Sequence, residues 1–179
     1  YSLDANTTGT GNVAIGLFSL TTNTTASGNT ALGQKTLRNS TGANNTASGF
    51  ESMTANTSGA SNAAYGYRSL YSNTSGTYNT AIGKDALLSN TTGDYNTALG
   101  FDSLEQNTTG TGNAAVGVAA LSKNTTGTEN TGMGHQSLQL NTTGNYNTAL
   151  GAEALYANTT ASYNTALGWE SLNSNTTGE

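Results

Sequence analysis

The sequence predicts an all-β chain wound into a parallel β-solenoid, a β-roll of about ten coils. Three observations predict it. The box Asn-Thr-Ala-Leu/Ile-Gly returns with a 17-residue period through all 179 residues. Glycine holds two fixed places in each period. Large apolar residues hold only two more, too few for a pair of amphipathic helices.

The period is anchored on the Asn that opens the box: Asn12, Asn29, Asn45, Asn62, Asn79, Asn96, Asn113, Asn130, Asn147 and Asn164. Every step is 17 residues except Asn29 to Asn45, which is 16. The consensus reads N-T-A-[LI]-G-x-x-[SA]-L-x-x-N-T-[TS]-G-x-x, and each place in it is numbered as a row, with the anchor as row zero. Coils spaced about 4.8 Å apart make a rod on the order of 50 Å long. The array is one unit over residues 1–179. Beginning at Tyr1 without a signal peptide, it reads as a fragment of a longer fibrous protein, a processed product or a filament subunit.

Taken in order along the coil, row three holds Ile15, Leu32, Tyr65, Ile82, Leu99, Val116, Met133, Leu150 and Leu167, with Ser48 as the exception. Row eight is stricter: it is Leu everywhere but Met53. The two rows together are expected to form a narrow core, each side chain stacking on its counterpart in the next coil. Gly in row four, from Gly16 to Gly168, marks a corner where a positive φ or close approach of the neighbouring coil excludes a Cβ. The Thr-Thr-Gly segment marks a second, less strained corner, since Ala26 and Ala161 replace its Gly. Asn in rows zero and eleven is expected to form amide ladders from coil to coil.

The stretch after the first corner, for example Phe101-Asp102-Ser103-Leu104-Glu105-Gln106, is compatible with one short helical turn per coil. Row six runs Lys35, Glu51, Arg68, Asp85, Asp102, so opposite charges mostly meet on an exposed face and set register rather than stability. The missing residue, placed between Leu37 and Asn39, and Ser48 just after it mark the weakest coil, where an irregularity is expected.

Composition narrows function. Charged residues are only 8% of the chain, the net charge is −5, and there is no Cys or Pro. Polar low-complexity chains of this kind are often disordered, but disorder needs no fixed period. Without Cys there is no disulfide framework and no Cys-based zinc site. No apolar run reaches the roughly 18 residues of a membrane span. Five scattered Lys and Arg residues make no basic stripe for nucleic acid.

The Asn-Thr-Ala-Leu/Ile-Gly box resembles the Asn-Ser-Val-Ala-Ile-Gly-type box in the head domains of trimeric autotransporter adhesins (YadA-like). The array also looks like the Asn-Thr-Thr-Gly repeats of bacterial surface proteins and phage tail-fibre proteins. The resemblance covers essentially the whole chain. It implies a left-handed parallel β-roll that trimerises, with Ala14, Ile15 and Gly16, and counterparts such as Ala98, Leu99 and Gly100, on the inward strand. The adhesin heads use a shorter unit, and this chain has extra residues around Leu104-Glu105-Gln106.

A catalytic site brings unlike residues together once, whereas a repeat presents one residue again and again. His135, the single His, sits in variable row five and has no second His or Cys to join it. Asp102 and Glu105 occupy variable, solvent-facing places and make a poor acid–base pair. The aspartate nonapeptide of calcium-binding rolls is absent. The chain is therefore expected to be no enzyme and to need no cofactor or metal.

The non-repeating residues are the candidates for recognition. Phe50, Tyr67, Phe101 and Trp169 share row five, while Tyr78, Tyr95, Tyr146 and Tyr163 share row sixteen. Exposed aromatics of this kind can bind sugar rings, cover a coil edge or pack between protomers. Asn-x-Ser/Thr sequons recur at Asn6, Asn56, Asn90 and others, in the row assigned to a ladder. Threonine rows one and twelve offer a flat lattice suited to ice.

The expected function is an extracellular, cell-surface or virion-fibre structural or adhesive element. Its expected partner is itself, as a homotrimer or an end-to-end filament, because a narrow core is marginal alone. A cell-surface glycan is the alternative partner, and ice binding the third reading.

Overall fold

The computed structural model describes residues 1–176, and among them the only regular elements are strands. They are β1 (Val13–Ile15), β2 (Thr30–Leu32), β3 (Thr46–Ser48), β4 (Ala63–Tyr65) and β5 (Thr80–Ile82). They continue as β6 (Thr97–Leu99), β7 (Ala114–Val116), β8 (Thr131–Met133), β9 (Thr148–Leu150) and β10 (Thr165–Leu167). The ten form one parallel sheet in chain order. Pairing follows the repeat: Thr80 lies beside Thr97 and Ile82 beside Leu99, and the 16-residue step is absorbed without loss of register, Thr30 lying beside Thr46. This is the β-solenoid that the period predicts.

Hydrogen bonding between coils extends well beyond the strands. In the sixth coil Thr97 N–H donates to Asn113 O, Leu104 N–H to Ala120 O, Gln106 N–H to Ser122 O and Thr108 N–H to Thr125 O, at 2.8–3.0 Å. Gly100 and Asp102 donate the other way, to Ile82 O and Lys84 O. Polar backbone groups around the coil thereby find partners in their neighbours, as burial requires.

No helical turn forms where one was expected. The segment after the glycine corner is a run of turns in which rows six and eight adopt positive φ, as at Asp102 (53°) and Leu104 (49°). Tyr in row sixteen does the same, as at Tyr95 (59°). A helix needs consecutive right-handed residues with i→i−4 bonds inside the segment, whereas here only three-residue turns close locally and the N–H groups of rows six and eight donate to adjacent coils. The described residues include 28 positive-φ positions that are not Gly, and none is Val, Ile or Thr, although Thr is the commonest residue of the chain. Left-handed backbone crowds a branched Cβ most, so these rows select unbranched side chains.

The core is narrower than expected. Leu and Met of row eight are fully buried from Leu20 to Leu155, together with Ala of row two and the small residues of row seven. Row three is outside: Ile15 is 64% exposed, Ile82 44% and Leu150 47%. The expectation that rows three and eight share one core is corrected here. Strand residues alternate faces, so Ala in row two turns inward and rows one and three must both turn outward. Ser48 therefore interrupts the outer row and does not weaken the core.

Both Asn ladders form, and they are buried. In row zero, Asn96 Oδ1 accepts from the backbone N–H and the amide of Asn113 at 3.0 and 3.2 Å, while Asn96 Nδ2 donates to Gly110 O at 2.9 Å. In row eleven, Asn107 Nδ2 donates to Asn90 Oδ1 at 2.9 Å and to the same Gly110 O at 3.0 Å. One glycine carbonyl thus joins both ladders, which ties the second corner to the strand. A Cβ on Gly110 would collide with Gly127 O, so packing favours Gly at this corner, Ala26 and Ala161 being the exceptions, whereas Gly100 also has a φ of +140°.

The shortened coil departs from expectation in place. Thr41 N–H donates to Thr57 O and Gly42 lies over Gly59, so the missing residue falls between Thr41 and Gly42, in the Thr-Thr-Gly corner, and not between Leu37 and Asn39. Ser40 takes the place of a ladder Asn. It accepts from Asn56 Nδ2 at 3.0 Å, and Asn23 Oδ1 on its other side is buried without a partner. Ala26 stands directly beside this shortened corner.

Candidate interaction surface

The outer face of the sheet is built from rows one and three. Rows zero to four contain no charged residue in any coil. The face therefore presents Thr or Ala in row one, with Val13 in the first coil, and Ile, Leu, Val, Met or Tyr in row three, with Ser48 in the third, in register across ten strands. An apolar stripe of this length, broken in row three only at Ser48, is unusual on an isolated chain, where exposed apolar residues are normally scattered.

Row five borders the face just past the first glycine corner. Phe50, Tyr67, Phe101 and Trp169 all lie there on the surface, as their spacing predicts. Phe50 and Tyr67 stack at 5.9 Å between centroids, 7° from parallel. Cations cover further ring faces: Lys35 Nζ lies 5.6 Å from the Phe50 centroid, the Arg68 guanidinium 5.8 Å from Tyr67, and Lys84 Nζ 4.8 Å from Phe101. A sugar ring needs an open aromatic face; Phe50 and Tyr67 each carry a ring and a cation, whereas Phe101 carries a cation alone. Trp169 differs. It stands in the tenth coil, which no further described coil covers and where Leu172 of the core row is itself 52% exposed, and it stacks on no other ring among the described residues.

Row sixteen gives the other border. Tyr78 stacks on Tyr95 and Tyr146 on Tyr163, each at 5.1 Å, close to the spacing of coils. The two pairs are rigid aromatic edges, with a gap at Gly112 and Glu129 between them.

The charged row is partly as expected. Lys35 pairs with Glu51 at 2.8 Å, and Arg68 stands 3.9 Å from Asp85, which also pairs with Lys84 at 3.0 Å. The hydrogen bond from Lys84 to Asp85 raises the lysine pKa. Asp102 goes the other way for a carboxylate: desolvation raises its pKa, and neighbouring Asp85 adds to the rise while Lys84 and Lys123 oppose it.

His135 is exposed at row five, Asp102 and Glu105 are half-buried, and no three His, Asp or Glu residues converge among the described residues. The sequon asparagines Asn56, Asn90 and Asn107 have fully buried side chains held in the ladder, so the folded rod offers no glycan attachment there. No helix among the described residues is long and apolar enough to cross a membrane.

The outward turn of row three is what sequence reasoning missed. Its signal was there: Ser48, Tyr65 and Met133 differ in size and polarity more than a close-packed row allows, whereas row eight hardly varies. Comparison with known protein families, with curated proteins and with solved structures finds no match to this chain.

Proposed function

We propose that this chain is a structural or adhesive rod of an extracellular fibre, which associates with further copies of itself through its strand face and spaces or presents a binding surface. The observation that carries the reading is the charge-free apolar stripe of rows zero to four along the whole array. Depletion of charge at the centre with aromatic residues around it is the composition of a protein–protein interface core. A second copy has the same coil spacing of about 4.8 Å, so its side chains can interdigitate with this row along its full length. The resemblance to adhesin heads and fibre repeats supports the extracellular setting.

Sedimentation over a range of concentrations tests the association. The expected result is a species heavier than the 18.1 kDa chain. A single monodisperse monomer at every concentration would overturn it.

A second reading is favoured by one observation. Rows one and three form a regular outward grid, about 4.8 Å along the rod by roughly 7 Å along the strand. That spacing suits ordered water, and ice binding would show as thermal hysteresis. Hysteresis from the folded rod, abolished when Thr80, Thr97 and Thr131 are changed to Lys, would favour ice over self-association.

A further inference from the structure

We infer that two copies pair strand face to strand face with their rods antiparallel, related by a twofold axis lying in the interface. This rests on the self-association proposed above and adds its orientation. Because coils stack in chain order, position in the sequence is position along the rod. Residues 1–90 carry Lys35, Arg38, Arg68 and Lys84 against Asp4, Glu51 and Asp85, a net charge of +1. Residues 91–179 carry Lys123 against seven carboxylates, a net charge of −6, with Glu179 alone lying beyond the described residues. The rod is therefore neutral to weakly cationic in its first half and strongly anionic in its second.

Parallel pairing sets the two anionic halves side by side. Antiparallel pairing sets each against the other copy's first half. Packed sheets lie about 10 Å apart, comparable with the screening length at about 0.1 M salt, so part of that difference survives in solution. Length and width also suit a pair. A face about 48 Å long and roughly 15 Å across offers on the order of 700 Å², close to the ~800 Å² per partner of a stable interface.

The borders of the face agree with this orientation. When two faces meet with rods antiparallel, the twofold axis runs along the strand direction, and row five of one copy lies beside row five of the other. Counting coils from Asn12, full overlap brings coil two against coil nine and coil five against coil six. Lys35 then lies near Glu153 of the second copy, and Lys84 near Asp102 of the second copy. Sliding the pairing by one coil in one direction sets Lys35 against Gln136; in the other Lys35 meets Glu170, but Glu51 is set against Glu153. Asp102, crowded by Asp85, gains a cation in the full-overlap arrangement.

The chain has no Cys, so single nitroxide labels can be placed on the full chain through Gln34→Cys or Val118→Cys, both in variable row five. Electron paramagnetic resonance then reads the distance between labels on associated copies. Antiparallel pairing predicts an axial separation of about 34 Å for the coil-two label and about 14 Å for the coil-seven label, from coils about 4.8 Å apart. Equal distances at both sites, as parallel or head-to-tail end-to-end association requires, would overturn the orientation and leave self-association standing. No intermolecular coupling at either site would overturn both.

Discussion

Leu99 and Leu104 lie in one coil, five residues apart, and the fold treats them in opposite ways. Leu104 is fully buried with a φ of 49°, whereas Leu99 sits on β6 and faces outward, partly exposed. Their rows contribute the same apolar chemistry to the sequence. What separates them is backbone conformation. A left-handed turn points row eight into the coil and excludes branched side chains, while the strand turns row three out and accepts Ile15, Ile82 and Val116. The coil is held by one row and its ladders, which leaves the other row free to face a partner.

Truncation gives the largest contrast. Leu104→Ala removes a fully packed side chain and is expected to cost about 2–5 kcal/mol in denaturant unfolding, while Leu99→Ala in the dissociated chain stays within about 0.5 kcal/mol. Comparable losses at both places would put the two rows back into one core. Changing shape at constant volume sharpens the comparison. Leu104→Ile should cost about 1–3 kcal/mol because a branched Cβ must enter left-handed backbone, and Leu99→Ile should be close to neutral. A neutral Leu104→Ile melt would contradict the conformational explanation of row eight.

A smaller effect is expected in the shortened coil. Ser40→Asn supplies the amide that Asn23 Oδ1 lacks and continues the row-eleven ladder, for a gain of roughly 0.5–1.5 kcal/mol in thermal or denaturant unfolding. No gain, or a loss, would mean that the corner missing a residue has no room for the ladder. The smallest effect concerns charge beside the face. A raised Asp102 pKa means that the folded chain holds the proton more tightly than the unfolded one, so stability falls as pH rises through the carboxylate range. In the dissociated chain, Asp102→Asn should flatten that decline. A steeper decline in the variant would show that the carboxylate is favoured by folding.

The period, the strand in each box, the glycine corners and both Asn ladders could be read from the sequence, because each depends on a residue type that must recur at a fixed place. Which apolar row lies inside could not be read from hydrophobicity, since Leu counts equally in both. The legible difference was variety and branching at Cβ: row eight holds only Leu and Met, while row three takes the β-branched Ile15, Ile82 and Val116 and also Tyr65 and Ser48. The helical turn was misread for a related reason. Lys84-Asp85-Ala86-Leu87 suits a helix by propensity, but Asp85 and Leu87 take positive φ and donate their N–H groups to adjacent coils. The aromatic row was found, yet the stacking of Phe50 on Tyr67 and the cations over them depend on coil-to-coil geometry that spacing alone does not supply.

Sedimentation velocity of a chain carrying Ile82→Thr, Leu99→Thr and Val116→Thr together tests the central claim most directly, because one profile reports both compactness and association. The account predicts a folded, elongated monomer where the unaltered chain associates. An expanded, unfolded chain, or an assembly unchanged from that of the unaltered protein, would contradict it.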